Sequence, residues 1–457
     1  MEPPWPCAHP EELPSVEKAV CILQQSRKQS TLSHAVSHHT YLCSLGLESH
    51  PHIGNFLVPL FVEYGNLDLA HQTFHRVIQP NEFGWTSLIQ GYVDKGEPQT
   101  AVKLFQHMQK GVVFCDDDVV DGDDDSDDFV VVDGDDMVIC PSAHTFVAIL
   151  KACAKLKCID LGKRTHADII TRGIEENVFV GSTLVDMYVK CGSLVEAQRV
   201  FDKLLSRNIV SWNALISGYS EYGYVNDIRI CFDKMRLDHI VPNAVSYVNF
   251  LKACASIEAL EDGMDLHAEI VKAGYDDNPY VENVLVDLYA KCAHLAEAYA
   301  LFSKISKHDN VVLWTALIAG YARCGLIDEA LHLFEEMQIE GVSPDIISWN
   351  SIILVHIEQE CYDKAVSFFG QMLEQGLVPN DVTLMTMVQA CGSMMNIEMG
   401  KRMHSQVFSY IGISMELDLN NVLIDMYTRY GKMRDAHDLF DTMPIKDLVT
   451  WNCMIAG

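Results

Sequence analysis

The stretch LVDMYVKC at residues 184–191 returns as LVDLYAKC at residues 285–292 and as LIDMYTRY at residues 423–430. The first return begins 101 residues after the original. A second marker, tryptophan, recurs at separations of 102, 35 and 102 residues, at Trp212, Trp314, Trp349 and Trp451. Self-similarity at a fixed period is the sequence signature of a repeat protein. The pattern therefore predicts short repeats of 31 to 35 residues, arranged in a cycle of three.

Each repeat carries the apolar spacing of two helices. The first helix places apolar residues at i, i+3, i+4 and i+7, as in Trp212, Leu215, Ile216 and Tyr219. The second helix has the same spacing after a turn at Gly325, as in Ala330, Leu333, Phe334 and Met337. One helix pair cannot bury its apolar face alone, so neighbouring pairs must stack. We therefore predict an all-α fold, a right-handed α-solenoid superhelix of stacked helix–turn–helix repeats.

The composition is typical of a packed protein in a reducing compartment. Of 457 residues, 49% are hydrophobic, and 15 cysteines are spread along the chain without a secretory signal before them. The first twenty residues contain acidic residues and prolines, unlike an Arg-rich transit peptide. No run of about 18 apolar residues occurs, so we expect no membrane span.

An acidic insertion interrupts the cycle. The interval from Trp85 to Trp212 is 127 residues, which exceeds 102 by 25. Residues 112–139 hold twelve Asp and no Lys or Arg, out of a net charge of −30. The segment lacks the Gly and Glu that a calcium loop requires, and we predict that it is disordered, with a short hairpin at residues 130–139 as the alternative. The charge that remains, −18, still opposes a nucleic-acid partner when taken alone.

Three segments rotate along the chain: NIVSWNALISGY at 208–219, NVFVGSTLVDMYVKCG at 177–192 and HTFVAILKACAKLKCIDLGKRTHADII at 144–170. With their spacing they resemble the plant PLS-class pentatricopeptide-repeat proteins. A tetratricopeptide array would have a uniform period of 34 residues and a different Trp pattern. The resemblance covers residues 16–457 apart from the insertion, and it gives about twelve repeats: 16–50, 51–81, 82–142, 143–177, 178–208, 209–243, 244–278, 279–310, 311–345, 346–380, 381–416 and 417–447.

The resemblance also implies a division of the chain into regions. Residues 1–15 are an N-terminal extension, and repeats occupy residues 16–111 and 140–447 on either side of the insertion at 112–139. Residues 448–457 begin a thirteenth repeat, from which we expect a truncated member of the family. No H-x-E and C-x2-C pair is present, so we expect no C-terminal deaminase-like domain and no enzymatic activity.

In this family, the fifth and last residues of a repeat read one RNA base, and the second residue supports that base by apolar contact. We call the fifth and last residues the reading pair. Carried over by position, the pairs are Asn55 with Asn81, Thr86 with Ser142 across the insertion, Ser182 with Asn208, Asn213 with Asn243, Asn283 with Asn310, Thr315 with Asp345, Asn350 with Asn380, and Asn421 with Asp447. Asn452 is a fifth residue without a last residue. The supporting residues are Phe83, Phe179, Val210, Val312 and Ile347.

The family's correspondence between pairs and bases predicts a target sequence. Thr with Asp is associated with guanine, and Asn with Asp is associated with uracil. From the RNA 5′ end, residues 178–380 then suggest adenine, pyrimidine, an unread base, pyrimidine, guanine and pyrimidine. Lys190 and Lys291 occupy a family position that tends to be basic, and they are candidates for phosphate contacts.

Structural roles compete with these functional ones. Asn, Asp or Ser at the end of a repeat is also what a helix N-cap requires, and this alternative remains open. Asn at the fifth position is harder to explain structurally, because Asn is a mediocre helix former. The recurring tryptophans fit core packing better than base stacking, and the histidines at 39, 166, 267 and 404 occur once per cycle, which favours a structural role over a metal site. The same argument favours packing roles for two sets of cysteines, at 191, 292 and 324 and at 153, 254 and 391.

The sequence therefore predicts a monomeric, modular binder of single-stranded RNA, in which one repeat addresses one base, without a cofactor. The resemblance implies a place in organellar RNA processing or C-to-U editing, where this chain selects the target and another protein supplies the chemistry. It also implies that the protein is located in a mitochondrion or a plastid. The alternative is a helical-repeat scaffold that holds a protein, which the acidic balance favours.

Overall fold

The computed structural model describes residues 32–44, 47, 49–110, 139–305, 310–411 and 417–456. The predicted N-terminal extension and the acidic insertion up to residue 138 lie outside the described residues. Within the described ranges the regular structure is entirely helical, with 24 helices. The prediction of an all-α helical-repeat fold is confirmed.

The chain folds as two compact halves, residues 1–243 and 244–457. The helices of the N-terminal half are α1 (Leu32–Ser44), α2 (Pro51–Glu63), α3 (Leu67–Arg76), α4 (Glu82–Lys95), α5 (Pro98–Lys110), α6 (Ala143–Leu156), α7 (Ile159–Thr171), α8 (Val178–Lys190), α9 (Leu194–Lys203), α10 (Ile209–Glu221) and α11 (Val225–Leu237). Those of the C-terminal half are α12 (Ala244–Ser256), α13 (Leu260–Ala273), α14 (Pro279–Lys291), α15 (Leu295–Lys304), α16 (Val311–Arg323), α17 (Ile327–Ile339), α18 (Ile346–Glu358), α19 (Tyr362–Glu374), α20 (Asp381–Met394), α21 (Ile397–Ile411), α22 (Leu417–Arg429), α23 (Met433–Thr442) and α24 (Leu448–Ala456).

Within each half, the first helix of every repeat packs on the first helix of the next one. In the N-terminal half α2 contacts α4, α4 contacts α6, α6 contacts α8, and α8 contacts α10. The C-terminal half repeats this order from α12 to α24. Turns between the two helices of a repeat often use a glycine with positive φ, such as Gly192 (75°) and Gly325 (73°), where an L side chain would be strained.

Helix length accounts for the two repeat periods. The second helices α3, α9, α15 and α23 have 10 residues each, whereas the other described second helices have 13 to 15. One turn of α-helix is about 3.6 residues. The shorter spacing of about 31 residues is therefore a repeat whose second helix lacks one turn.

The core contains a phenylalanine–tryptophan contact at repeat junctions. Phe201 at the end of one repeat packs edge-on against Trp212 at the start of the next, with ring centroids 4.5 Å apart, and four other junctions have the same geometry. Trp85, Trp212, Trp314 and Trp349 are at most 1% exposed, which confirms their predicted role in the core. Trp451 is 51% exposed instead, because no described helix follows α24 to cover its other face.

The once-per-cycle histidines bind tyrosines of the following repeat. Nδ1 of His166 lies 2.9 Å from the hydroxyl of Tyr188, and His267 and His404 make the same contact with Tyr289 and Tyr427. His39 packs edge-on against Phe61. The predicted structural role is confirmed for these side chains, and within the described part of the chain no group of His, Cys, Asp and Glu has the arrangement of a metal site.

The cysteines fit the packing prediction with one exception. Cys153, Cys254 and Cys391 are buried, and the half-buried Cys191 directs its thiol at the carbonyl of Cys153. Cys324 is exposed, so the packing role predicted for it is wrong. It is the C-cap residue of α16, in the turn that leads to α17. No described helix has both the length and the apolar character to cross a membrane.

These junction histidines predict a loss of stability in acid. Burial is the main cause that lowers the pKa of His166, His267 and His404. The folded state therefore binds fewer protons than the unfolded state, and the contribution is present above the unfolded pKa of about 6.5 and is lost as the pH falls below it. We expect the melting temperature to fall between pH ~7.5 and pH ~5, and to fall less in His166→Gln. An equal fall in the variant would contradict this assignment.

Candidate nucleic-acid interface

One exposed apolar side chain projects from the start of the first helix in most repeats. The predicted supporting residues Phe83, Phe179, Val210, Val312 and Ile347 are 55% to 73% exposed. Four further residues share this second position and are 52% to 75% exposed: Val245, Tyr280, Val382 and Val449. These four were not predicted from the sequence, although their place in the repeat was the signal. We call these nine side chains the apolar stripe. A single exposed apolar residue is common on a protein surface, but the recurrence of one at the same position of most repeats requires an explanation.

The reading pairs come together beside this stripe, in hydrogen bonds between residues 26 to 30 apart. Asn213 Nδ2 donates to Asn243 Oδ1 (3.1 Å), and Thr315 Oγ1 donates to Asp345 Oδ1 (3.1 Å). The same fifth-to-last bond joins Ser182 to Asn208 (3.4 Å), Asn350 to Asn380 (3.3 Å) and Asn421 to Asp447 (3.3 Å). Between Asn283 and Asn310 the donor is instead Nδ2 of the last residue (3.0 Å).

Two pairs and one single residue depart from this pattern. Asn55 Oδ1 accepts from the backbone N–H of Asn81 rather than from its side chain. Thr86 and Ser142 are brought together despite the insertion, because Thr145 Oγ1 lies 2.6 Å from Thr86 Oγ1 and 3.4 Å from Ser142 Oγ. Asn452 is exposed and has no hydrogen bond within the part of the chain that the structure describes.

The last residue of most reading pairs is also the N-cap of the next repeat's first helix. Oδ1 accepts a backbone N–H from the third helical residue at Asn208, Asp345 and Asn380, over distances of 2.8 to 3.0 Å. Asn81 and Asp447 make the same bond. The capping alternative is therefore correct, and it leaves room for the functional one, because a cap needs only one of the two polar atoms of the side chain.

The cap fixes which polar atom remains free. Once Oδ1 faces the helix, the amide nitrogen of Asn208 or Asn380 points away from it, and none of the described protein groups binds that nitrogen. In Asp345 the atom left over is Oδ2, a pure acceptor. Asp447 behaves like Asp345, and hydrogen bonds from the backbone and side chain of Thr450 lower the pKa of its carboxyl. Asn208 and Asn380 therefore present a donor, and Asp345 presents an acceptor.

Three of the fifth residues lie deeper than the exposed second residues of the apolar stripe. The second and fifth positions are three residues apart and therefore lie on the same face of the first helix. Ser182, Thr315 and Asn421 are instead 4% to 7% exposed. The start of the next repeat's first helix covers them, and helical periodicity within one repeat contains no information about that neighbour. At these junctions the stripe residue is therefore exposed, and the fifth residue of the reading pair is buried beneath it.

The basic residues of the interface are held in ion pairs. Lys190 Nζ lies 2.8 Å from Asp186 Oδ2, and Lys291 Nζ lies 2.8 Å from Asp287 Oδ2. Their side chains are 53% and 42% exposed, so these are surface pairs that stabilise by only about 0–1 kcal/mol. Three basic residues missed by the sequence analysis occupy the same repeat position: Lys155, Arg323 and Arg429.

The N-terminal half has a concavity beside the reading pair Asn55 and Asn81. A cavity of about 910 Å³ is lined by His52, Asn55, Asn81, Phe83 and Ile139, among others. Ile139 is the first described residue after the insertion. The insertion thus rejoins the repeats beside a reading pair, although the structure of residues 111–138 is not described.

Helix pairs stacked through their first helices, with a polar pair at most of the described junctions, define a helical-repeat protein. Two family models match this chain: the PPR repeat family at residues 207–256, 309–348 and 344–393, and the PPR repeat at residues 83–111, 182–209 and 421–448. The chain belongs to the pentatricopeptide-repeat family, and it groups with plant members of that family.

Several Arabidopsis thaliana relatives are similar over most of the chain. A mitochondrial pentatricopeptide repeat-containing protein is 30% identical over 88% of this chain and 49% of its own length. A chloroplastic one is 27% identical over 96% of this chain and 61% of its own, and a third is 26% identical over 92% and 43%. The chain thus spans roughly half the length of these relatives.

The fold is also that of solved pentatricopeptide-repeat structures. The crystal structure of PPR10 from maize aligns with a TM-score of 0.61 and 17% identity, over 98% of this chain and 66% of that one. PPR10 in complex with an 18-nucleotide psaJ RNA element aligns with a TM-score of 0.57 and 17% identity, over 93% and 64%. At this identity the similarity establishes the fold alone.

Proposed function

We propose that this chain binds single-stranded RNA sequence-selectively, with one base at each junction that has a reading pair. The observation that carries the proposal is that the two polar atoms of the last residue have different roles, as in Asp345 and Asn380. One polar atom caps a helix, and the other is left free beside an exposed apolar side chain. A base needs both an apolar contact for its face and a polar partner for its edge, and unstacked bases are recognised in this way.

The free atom selects the base by hydrogen-bond polarity. Guanine and uracil carry an imino N–H on the base-pairing edge, whereas adenine and cytosine carry a ring nitrogen that accepts. The acceptor Oδ2 of Asp345 therefore suits guanine or uracil, and the donor Nδ2 of Asn208 or Asn380 suits adenine or cytosine. This physical argument agrees with the correspondence that the family resemblance implied.

The fifth residue selects the size of the base. Thr315 and Ser182 are short, whereas Asn350 and Asn421 reach further into the junction. A shorter side chain leaves space for a purine, and a longer one leaves space for a pyrimidine. With the polarity rule, repeats 178–208, 311–345 and 417–447 would bind adenine, guanine and uracil.

The cellular role follows from the relatives. The PPR10 complex contains an RNA element bound to that protein, and two Arabidopsis relatives are named mitochondrial and chloroplastic. The short second helices, once per cycle, support the PLS subclass. We infer an organellar factor that selects sites for RNA processing or C-to-U editing, while a second protein supplies the catalysis.

Selection of RNA from a randomised pool tests the proposal. The full chain should enrich single-stranded sequences with guanine at the position of repeat 311–345, flanked by pyrimidines at the positions of repeats 279–310 and 346–380. Binding should be lost when the target is converted to a duplex, because the base edges are then paired. Equal binding to all pool members would contradict sequence selectivity.

A protein-binding scaffold is the second candidate, and one observation favours it. Helices α13 and α17 are strongly acidic, with Glu261, Asp262, Asp265 and Glu269 on the first and Asp328, Glu329, Glu335 and Glu336 on the second. Such charge suits a basic protein better than a phosphate backbone. Capture of a specific protein after ribonuclease treatment, together with failure of the RNA selection, would favour the scaffold.

The lysines of the interface predict a salt effect without a sequence effect. Lys190→Gln and Lys291→Gln should each lower the slope of log affinity against log salt by about 0.7, because each removes one phosphate contact to a single strand. The preferred bases should not change, since phosphate contacts position the RNA and do not read it. Lys234→Gln on the second helix α11 is the matched control. An unchanged slope in both interface variants would remove these lysines from the interface.

A further inference from the structure

A buried hydroxyl lies under several reading pairs, at the third position of the following repeat. Thr145, Ser348, Thr383 and Thr450 are 0% exposed. Each is the third residue of a first helix. The backbone N–H groups of Ser348, Thr383 and Thr450 donate to Oδ1 of the last residue of the preceding repeat, and Thr145 Oγ1 accepts from the backbone N–H of Ser142. The hydroxyls of Thr145, Ser348 and Thr383 contact the fifth residue of the preceding repeat, whereas that of Thr450 contacts the last residue, Asp447.

At Thr383 the hydroxyl determines how the amide of the fifth residue is turned. Thr383 Oγ1 lies 2.7 Å from Asn350 Oδ1 and 2.8 Å from Asn380 Oδ1. Asn380 Oδ1 already accepts from the Thr383 backbone and from Asn350 Nδ2. The hydroxyl of Thr383 therefore donates its single proton to Asn350 Oδ1. This bond orients the Asn350 amide so that its Nδ2 points toward Asn380.

At Ser348 the hydroxyl contacts both members of the pair. Ser348 Oγ lies 2.7 Å from Thr315 Oγ1 and donates to Asp345 Oδ1 at 2.8 Å. Asp345 Oδ1 also accepts from the Ser348 backbone and from Thr315. All these donors converge on one carboxylate oxygen, which leaves Oδ2 as the oxygen available to a ligand.

A junction without the hydroxyl shows the reverse arrangement. Leu313 occupies the third position after repeat 279–310, and there Asn310 Nδ2 donates to Asn283 Oδ1. In the pairs followed by Thr383 and Thr450, the fifth residue is the donor instead. Apolar residues also stand at this position after the repeats whose fifth residue is apolar: Val180 follows Val147, Val281 follows Val248, and Leu419 follows Met385.

We propose that the buried hydroxyl at the third position of the following repeat is a specificity-determining positioning residue, which orients the reading pair of the preceding repeat. This inference rests on the proposed RNA binding. Without the hydroxyl, the Asn350 oxygen loses its partner, and only the bond from Nδ2 to Asn380 holds the amide. The amide can then turn to the reverse arrangement of the Asn283–Asn310 pair, in which Nδ2 of the last residue donates within the pair. The base is then bound with less discrimination, although the apolar contacts persist.

Thr383→Val tests the proposal, because it removes the hydroxyl and keeps the branched shape. Using the full chain, RNA is first selected with the wild type, and oligomers that differ only at the base of repeat 346–380 are then titrated. We expect Thr383→Val to reduce the ratio between best and worst base there by roughly two- to tenfold, the effect of one hydrogen bond. Preferences at the other bases should persist, and Thr383→Ser should restore the ratio.

Ser348→Ala should have the same local effect at the neighbouring base, that of repeat 311–345. Thr386→Val is the matched control, since Thr386 lies on the same helix but its hydroxyl only donates to the carbonyl of Val382. An unchanged ratio in Thr383→Val, or an equal loss of affinity for all four oligomers, would overturn the positioning role while the proposed function stands. Absence of any base preference in the wild type would overturn both.

Discussion

Replacing Asp345 by Asn should change the base preferred by repeat 311–345 from guanine to adenine. The cap would survive, because Asn and Asp are equally good N-cap residues and Oδ1 keeps its bond to the Ser348 backbone. The free atom changes from the acceptor Oδ2 to the donor Nδ2. Thr315 still leaves space for a purine, so the change should be confined to hydrogen-bond polarity. We expect a shift in relative affinity of roughly 1–3 kcal/mol at this base.

The measurement is a titration of oligomers that differ at that one base, after selection of the full target by the wild type. Asp328→Asn is the matched control, because it removes one exposed carboxylate from α17 in the same repeat without touching a junction. Asp345→Ala provides a second comparison, since it removes the cap, at a cost of about 1 kcal/mol in stability, along with the reading atom. A guanine preference that survives in Asp345→Asn would show that the carboxylate only caps the helix.

The sequence predicted the stack of helix pairs because packing imposes a period. Trp212 and Trp314 recur at one place in the cycle because each fills the same space against a phenylalanine of the preceding repeat. The histidines were predictable for the same reason, as each meets a tyrosine one helix further on. A contact that is made in the same way in successive repeats requires the same residue type at a fixed period in the sequence.

The details of the reading pairs have no such period in the sequence. The contact between Thr86 and Thr145 crosses the insertion and joins residues 59 apart, a separation that the regular repeat period does not contain. The depth of Thr315 depends on how the next first helix starts, and its bond to Ser348 joins two repeats. Such contacts depend on the register in which hairpins stack, which one-dimensional periodicity does not contain.

The last residue of a repeat shows why residue type alone leaves its role open. Asn or Asp at this position suits both a helix cap and a base contact. Asn380 caps α20 with its oxygen and leaves its nitrogen free, so the two roles belong to two atoms of one side chain. Selection for stability and selection for base recognition therefore act on the same position, and residue type alone cannot separate them.

Replacing Thr315 by Asn should change the preference of repeat 311–345 from guanine to uracil. The polarity set by Asp345 is unchanged, whereas the longer Asn side chain fills space that a purine needs. The chain already contains the product of this change, because Asn421 Nδ2 donates to Asp447 Oδ1 at 3.3 Å above the buried Thr450. The expected shift is again roughly 1–3 kcal/mol, restricted to one base.

Stability should decrease only slightly in Thr315→Asn. Thr and Asn have similar helix propensities. Thr315 is 7% exposed rather than open to solvent, so the extra atoms must fit a covered site, but Asn421 fits the equivalent site at 5% exposure. Ser348 remains available as the hydrogen-bond partner of the new amide, as Thr383 is for Asn350.

The double variant Thr315→Asn with Asp345→Asn makes the test independent of any single contact. It reproduces the pair Asn350 and Asn380, and it should therefore prefer cytosine, while the two single variants prefer uracil and adenine. The wild type, the two single variants and the double variant should thus select four different bases at the position of repeat 311–345 and the same bases elsewhere. Identical motifs from all four, or a general loss of binding without a local change, would defeat the assignment of base reading to this pair.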